Sequence, residues 1–345
     1  MGTFFAIVDM GTTNTRLTVV DRSGKVYASA KGEFGVKDRA ATGSKEILIS
    51  GLNRLIEAII EGKNVSLSQI ERMIGVGMIT SDIGLLDVPH RIAPVAVEDL
   101  AVHLEEMSMR EILLSPIMLI PGVKNRVESP SLGSLGDMDF MRGEETQVFG
   151  AIELYEVKVP TTFMFLTSHT KLIDVDEAYR ITRSFTTISG QIFDALRFHS
   201  FLASSLPDQN PSEIHREALL RGVELGLKVG ILRAGLMVRF MHILMHTSPE
   251  ERFSFLEGII IASDIQAIQN GYPFMRKRLV ILGDRFRSEA YRLALETFFA
   301  TSVETICLEE ASLERATLHG ALRIAERYLR LASAPPYSPS STVHS

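Results

Sequence analysis

The chain opens on an apolar run, Phe4-Phe5-Ala6-Ile7-Val8, that ends at Asp9 and turns through Gly11-Thr12-Thr13-Asn14. An alternating stretch follows, Leu17-Thr18-Val19-Val20-Asp21, and a second turn, Asp21-Arg22-Ser23-Gly24, leads into Val26-Tyr27-Ala28-Ser29-Ala30. Alternation with period two between turn residues predicts three antiparallel strands. Ser44 can cap a helix whose apolar positions Ile47, Leu48, Leu52, Leu55, Ile56 and Ile59 recur at helical spacing. Residues 73–78 read as a buried strand, a helix is expected over 99–114, and a strand over 117–120 stops at Pro121-Gly122. The order is βββαβαβ.

Residues 122–137 are rich in Gly, Ser and Pro and mark a boundary between a domain at 1–125 and a second at 126–331. The second begins with a helical pattern at 142–155, then strands at 161–167, 172–175 and 178–185. Helical patterns fill 189–205 and 212–270, followed by a strand at 278–282 ending in Gly283-Asp284, a helix at 288–299, a strand at 302–308 and a helix at 313–330. Two successive sets of antiparallel strands, each followed by helix–strand alternation, predict an α/β fold of two domains with a cleft between them. The proline- and serine-rich end, 332–345, reads as a disordered tail.

Composition narrows the function classes. The 345 residues and 38.3 kDa suit two domains, and 46% hydrophobic with 23% charged residues is ordinary for a globular protein. A net charge of −6 argues against a general nucleic-acid binder. The single cysteine, Cys307, permits no internal disulfide and fits a reducing cytosol. Its setting, Thr305-Ile306-Cys307-Leu308, predicts a buried structural thiol. The start lacks the basic segment of a signal peptide, and the apolar region at 225–245 is broken by Lys228, Arg233, Arg239 and His242. A cytoplasmic protein without a membrane or nucleic-acid partner is expected.

The first turn carries candidate chemistry. Gly11 lets backbone approach an anion, the Thr12 and Thr13 hydroxyls and neighbouring N–H groups can donate to phosphate, and Asp9 can hold Mg²⁺ through water. A solvated hairpin uses the same residue types. Four more segments bear on function. Asp139-Phe140-Met141-Arg142-Gly143-Glu144-Glu145-Thr146-Gln147 gathers acids around a glycine at a helix start, where a kinase could place a carboxylate to deprotonate a hydroxyl. The helix dipole favours acids there as well. Thr167-Ser168-His169-Thr170-Lys171 forms a polar turn between two strands, a second site for phosphate or a plain hairpin. Thr186-Thr187-Ile188-Ser189-Gly190-Gln191 opens a helix with hydroxyls, which serves anion binding or simple capping. Gly283, at a strand's end, lets backbone lie against adenine or ribose, or is a plain strand exit.

Together and in this order, these segments resemble the 2-dehydro-3-deoxygalactonokinase (2-keto-3-deoxygalactonate kinase) family, sugar-acid kinases of the actin-like ATPase superfamily. The resemblance covers roughly residues 4–328. Its most specific piece is Met141-Arg142-Gly143-Glu144-Glu145-Thr146-Gln147, preceded by Ile120-Pro121-Gly122. Supporting pieces are Asp9-Met10-Gly11-Thr12-Thr13-Asn14-Thr15-Arg16, Gly77-Met78 with Ser81 and Gly84, His169 with Lys171, and a helix at 192–202 that includes His199-Ser200.

The resemblance implies two actin-like (ribonuclease H-like) domains flanking a nucleotide-binding cleft. It implies ATP- and Mg²⁺-dependent phosphorylation of 2-dehydro-3-deoxy-D-galactonate to its 6-phosphate, in galactonate catabolism. Asp9 is then the metal-site residue, and Gly11, Thr12, Thr13, Asn14, Ser168, His169, Thr170, Lys171 and Gly283 bind the nucleotide. Arg16, Ser81, Arg142 and Glu145 are the acceptor-site candidates; Glu144, with Asp139 as runner-up, takes the hydroxyl proton. A homodimer is compatible with this picture. The sequence also departs from the family: Met10 replaces an aromatic, Thr167 a glycine, Ser189-Gly190-Gln191 a Thr-Gly-Glu, and Gly84-Leu85 a Gly-Trp. A β-branched residue at a loop glycine restricts phosphate approach if that position needs positive φ. The alternatives are a kinase for another small sugar acid, an actin-like acid-amide ATPase, or a degenerate sugar-acid-binding sensor.

Overall fold

The computed structural model describes residues 4–62, 65–272, 278–298 and 304–333. Its first half runs β1 (Phe4–Met10), β2 (Thr15–Asp21), β3 (Val26–Gly32), α1 (Val36–Thr42), α2 (Glu46–Glu61), β4 (Ile70–Gly77), β5 (Arg91–Ile92), α3 (Val97–Val102), β6 (Glu105–Met107) and β7 (Ile117–Leu119). A linking section holds β8 (Val123–Lys124), β9 (Phe140–Met141) and α4 (Glu144–Leu154). The second half continues with β10 (Thr161–Leu166), β11 (Thr170–Val175), β12 (Ile181–Thr187), α5 (Ser189–His199), α6 (Arg216–Ile243) and α7 (Pro249–Gly271). It ends with β13 (Arg278–Gly283), α8 (Arg285–Phe298), β14 (Glu304–Leu308) and α9 (Glu310–Ser333).

The first sheet has the order β3-β2-β1-β4-β7-β6 and the second β12-β11-β10-β13-β14. In each, three consecutive antiparallel strands are followed by two added in parallel next to the first. The halves therefore repeat one topology although the sequence shows no tandem repeat. A short sheet, β5-β8-β9, lies in the linking section.

Strand β1 is buried on both faces, so it carries a continuous apolar run. Its odd residues Phe5 and Ile7 join Phe163 and Phe165 of β10 in a core between the two sheets, which also takes Leu100 of α3, Val148 of α4 and Leu322 of α9. Its even residues Ala6 and Val8 face Leu48, Leu52 and Ile56 of α2. Period-two geometry thus feeds two cores from one strand. Helices α4 and α9 cross at glycine: a Cβ on Gly150 would overlap the Ala316 carbonyl, and one on Gly320 the Thr146 carbonyl.

Several expectations change. The helix expected over 99–114 ends at Val102, and Glu105–Met107 instead pair antiparallel with β7, covering backbone groups on that sheet edge. The pattern at 212–270 divides into α6 and α7. Ser248 accepts from the Glu251 N–H at 3.2 Å and donates its own N–H to the Glu251 carboxylate at 2.8 Å, a capping box followed by Pro249. Helix α6 is itself interrupted at Gly230, whose φ is 75°. Cys307 is exposed rather than buried, because β14 is the outer strand of its sheet. Positions 299, 302–303 and 334–345, parts of the expected last strand, preceding helix and tail, lie outside the described residues; 332–333 belong to α9. No helix among the described residues is long and apolar enough to cross a membrane.

Candidate active site

The first loop, between Met10 and Thr15, is fastened from behind. Its Gly11 N–H donates to the Asn14 carbonyl at 2.8 Å, and the Gly11 and Thr12 carbonyls accept from the Val36 and Lys37 N–H groups at 3.2 and 3.1 Å. This docking of α1 needs Gly35, where a Cβ would lie 2.5 Å from both loop carbonyls. The side chains of Thr12, Thr13 and Asn14 remain exposed.

The second loop repeats the arrangement. The Thr167 N–H donates to the His169 carbonyl at 2.9 Å, and the Gln191 N–H at the start of α5 donates to the Ser168 carbonyl at 3.0 Å. Gly190 permits the approach, since a Cβ there would sit 2.5 Å from the Thr167 carbonyl. Thr167 does not adopt positive φ among the non-glycine residues, so its branched side chain is accommodated without strain. Ser168 is exposed and its hydroxyl lies 3.0 Å from His169 Nδ1. Thr170, expected to face phosphate, is instead fully buried with its hydroxyl 3.0 Å from that of Tyr291. It is the strand-closing residue, and its side chain points into the core. Gly283 lies where a Cβ would be 2.8 Å from the Leu166 Cβ, so its immediate use is close packing of β13 on β10.

Two chain segments converge on Asp9. Gly77, with φ of 78°, ends β4 where a Cβ would lie 3.2 Å from the Asp9 carboxylate and 2.9 Å from the Met10 carbonyl. Gly143, with φ of 111°, packs on Gly77 and brings the first turn of α4 alongside. Burial pushes the Asp9 carboxyl up to about 6; Arg16 opposes this shift, whereas Glu144 and Glu314 add to it. The Glu144 carboxylate accepts from Lys171 Nζ at 3.0 Å, and that buried ammonium also donates to the Phe140 carbonyl at 3.0 Å. Glu144 and Lys171 therefore pair across the linking section and the second half, and Asp9 lies near enough to Glu144 for its charge to add to the upward shift.

The remaining candidates are held differently. Both Glu145 oxygens accept from the Gly143 N–H, at 2.9 and 2.8 Å, and burial followed by Glu144 raises its carboxyl to about 7. Arg142 donates to the Thr80 hydroxyl at 2.9 Å and the Val88 carbonyl at 2.8 Å, with Asp87 at 3.5 Å. Arg16 pairs with Glu314, and the Ser81 hydroxyl donates to the Met78 carbonyl at 2.8 Å. All four expected acceptor contacts thus have partners inside the protein. The Asp139 carboxylate accepts from the Thr186 hydroxyl at 3.0 and 2.9 Å.

A cavity of about 510 Å³ opens beside Asp9, lined also by Gly11, Asn14, Arg16, Gln147 and Glu314. Its wall is the N-terminal part of α9 and contains no residue of the second loop. Sequence reading missed that wall, and missed the polar network beneath the second loop. There Asp264 accepts from Thr187 at 2.7 Å, Tyr291 at 2.5 Å and Ser189, while Arg287 donates to Glu257 at 3.1 Å and to the Thr167 carbonyl at 2.7 Å. Single polar residues on long helices give no local signal. Gly35 did have one, standing immediately before a helix.

A family model described as 2-keto-3-deoxy-galactonokinase matches residues 9–324. The chain belongs to that family. Over 332 residues it is 24% identical to "Probable 2-dehydro-3-deoxygalactonokinase DgoK1" of Rhizobium meliloti (strain 1021), with 93% of this chain and 97% of the relative covered. A solved structure of a candidate 2-dehydro-3-deoxygalactonokinase from Sinorhizobium meliloti superposes with a TM-score of 0.71 at 21% identity, covering 92% and 98% of the two chains. Component A of (R)-2-hydroxyglutaryl-CoA dehydratase from Acidaminococcus fermentans is similar in fold, with a TM-score of 0.52 at 13% identity and coverage of 95% and 100%. The fold is that of the actin-like ATPases and sugar kinases. Membership in the galactonokinase family makes this chain a kinase, a phosphotransferase with an alcohol acceptor.

Proposed function

We propose that this kinase transfers the γ-phosphoryl group of ATP to the terminal hydroxyl of 2-dehydro-3-deoxy-D-galactonate, giving the 6-phosphate, as a cytoplasmic enzyme of galactonate catabolism. The observation that carries the reading is the Glu144–Lys171 ion pair, with buried Asp9 nearby, in a chain whose family model spans residues 9–324. Its working units are the domains 1–125 and 126–331.

Magnesium-bound ATP supplies the phosphoryl group and neutralises its charge in transfer. Asp9 suits a metal site, since a cation beside it would offset the burial, and then the charges of Glu144 and Glu314, that raise its carboxyl. On this reading Asp9 would hold the cation mainly through water. The exposed Thr12, Thr13 and Asn14 of the first loop, with Ser168 and His169 of the second, offer donors to phosphate oxygens. Glu144 accepts the proton of the attacking hydroxyl, and Lys171 orients that carboxylate while adding positive charge. A second assignment, Asp139 as the base, is favoured by its place in the wall of a smaller pocket at β8 and β9.

A coupled ADP-release assay across 2-keto-3-deoxy sugar acids tests the reading, with thermal stabilisation by Mg-ATP and by each acid as companion measurement. Turnover of a different acid reassigns the acceptor. Acid-induced stabilisation with no turnover indicates a sensor. A homodimer would bury Leu232, Leu236 and Ile243 of α6 and Leu244 just after it, all exposed in the single chain, and sedimentation velocity measures it.

A further inference from the structure

We infer that His90 and Lys124 form the subsite for the carboxylate of the acid acceptor, in the pocket beside β8 and β9. The inference rests on the kinase reading above and names the recognition that reading lacks, because Arg16, Ser81 and Arg142 are bonded within the protein. The pocket has a volume of about 280 Å³, and its walls include His90, Lys124, Asn125, Met138, Asp139 and Phe140. It adjoins the Glu144–Lys171 ion pair, since the Phe140 carbonyl accepts from Lys171.

His90 is a donor in search of an acceptor. Arg142 Nη2 lies 3.3 Å from its Nδ1, and a guanidinium only donates, so Nδ1 accepts and the neutral ring carries its proton on Nε2. Burial, then Arg142 and Lys124, hold the imidazole down to about 4, which keeps the ring neutral at physiological pH. Nε2 is buried and has no hydrogen-bond partner among the described residues. Such an unpaired donor is unfavourable until an oxygen meets it. Lys124, on the same wall, is exposed and its ammonium forms no ion pair among the described residues. One neutral N–H and one ammonium match an anionic oxygen pair. The Asp139 carboxylate, also in the wall, is held by the Thr186 hydroxyl and repels a second anion, so the acid's carboxylate is expected at His90 and Lys124 rather than at Asp139. The class of ligand is a short hydroxylated 2-oxo carboxylic acid.

The test uses the full chain with 2-dehydro-3-deoxygalactonate and its C1 amide. Lys124→Met and His90→Ala are expected to raise KM for the acid by about 10- to 100-fold, to narrow the preference for acid over amide, and to leave the calorimetric Kd for ATP near wild type. Lys124→Arg should restore most acid binding. Lys124 is exposed, so its variants fold even if the His90 variant does not. Wild-type KM and wild-type preference for the acid in Lys124→Met would overturn the subsite while the kinase reading stands. If the wild type binds the acid without turning it over and Lys124→Met loses that binding, the subsite holds and only the kinase reading falls. A wild type that neither binds nor phosphorylates the acid removes the subsite as well.

Discussion

The two loops are built alike and charged differently. In the first, α1 docks through Gly35; in the second, α5 docks through Gly190, and each helix start donates N–H groups to loop carbonyls. Strand register extends the match: Met10 pairs with Thr15 and Leu166 with Thr170, so Arg16 and Lys171 are corresponding basic residues one step further. At the position facing Arg16 the first half has Asp9, whereas Lys171 faces Phe165, which is buried. Lys171 is therefore free to pair with Glu144 from the linking section. The backbone architecture repeats, whereas the basic residues at matching positions have different partners, Glu314 for Arg16 and Glu144 for Lys171.

The most damaging change should be at the shared carboxylate. Glu144→Gln is expected to lower turnover by about 10²–10⁴-fold with ATP affinity retained, measured by steady-state kinetics and calorimetry. If Glu144→Gln stays within a few-fold of wild type while Asp139→Asn is inactive, the base is Asp139. Activity in both variants would reduce the cluster to a charged helix start.

Asp9→Asn tests the acidic member of the pair, with an expected loss of about 10²–10³-fold in turnover. Its effect on folding runs the other way. In the fold this carboxyl titrates at about 6 instead of 3.8, so across that interval the native chain holds a proton that the unfolded chain has released. The stability this group contributes is complete at low pH and is lost as pH rises through about 6. Asp9→Asn should then melt at pH 7 no lower than wild type. A large drop in melting temperature would make Asp9 a structural residue.

Gly35→Ala and Gly190→Ala probe the likeness itself. Each places a Cβ against loop carbonyls at 2.5 Å, so each should cost about 1–3 kcal/mol and raise the KM for ATP, by similar amounts. A strong effect at one position alone would show that only one loop bears on nucleotide. The smallest effect expected is from Tyr291→Phe, which removes one of the donors to Asp264 and the partner of Thr170. Denaturant unfolding should report a loss of about 1 kcal/mol, with no counterpart under the first loop, where the Thr15 hydroxyl donates to the Phe34 carbonyl instead.

Local pattern determined a good deal of this protein. Short apolar runs bounded by turn residues, with alternation in β2, set β1 to β3 and β10 to β12 close to their observed bounds, because strand burial leaves its mark on neighbouring residues. The loop after Asp9 and the acids around Gly143 were likewise legible, being contiguous in sequence. The Ser248-Pro249 stop was written there too, but a continuous helical pattern obscured it. What only the tertiary structure decided was which side chains are free. Arg142 looks like an anion ligand in sequence, yet residues more than fifty positions earlier in the chain claim its donors. Thr170 looks like a phosphate contact, yet Tyr291 lies over it from a distant helix. The unpaired His90 Nε2 depends on where Arg142 comes to rest. A residue's type is fixed locally, but the partners that satisfy its hydrogen bonds come from whatever the fold brings beside it, and no local pattern encodes that.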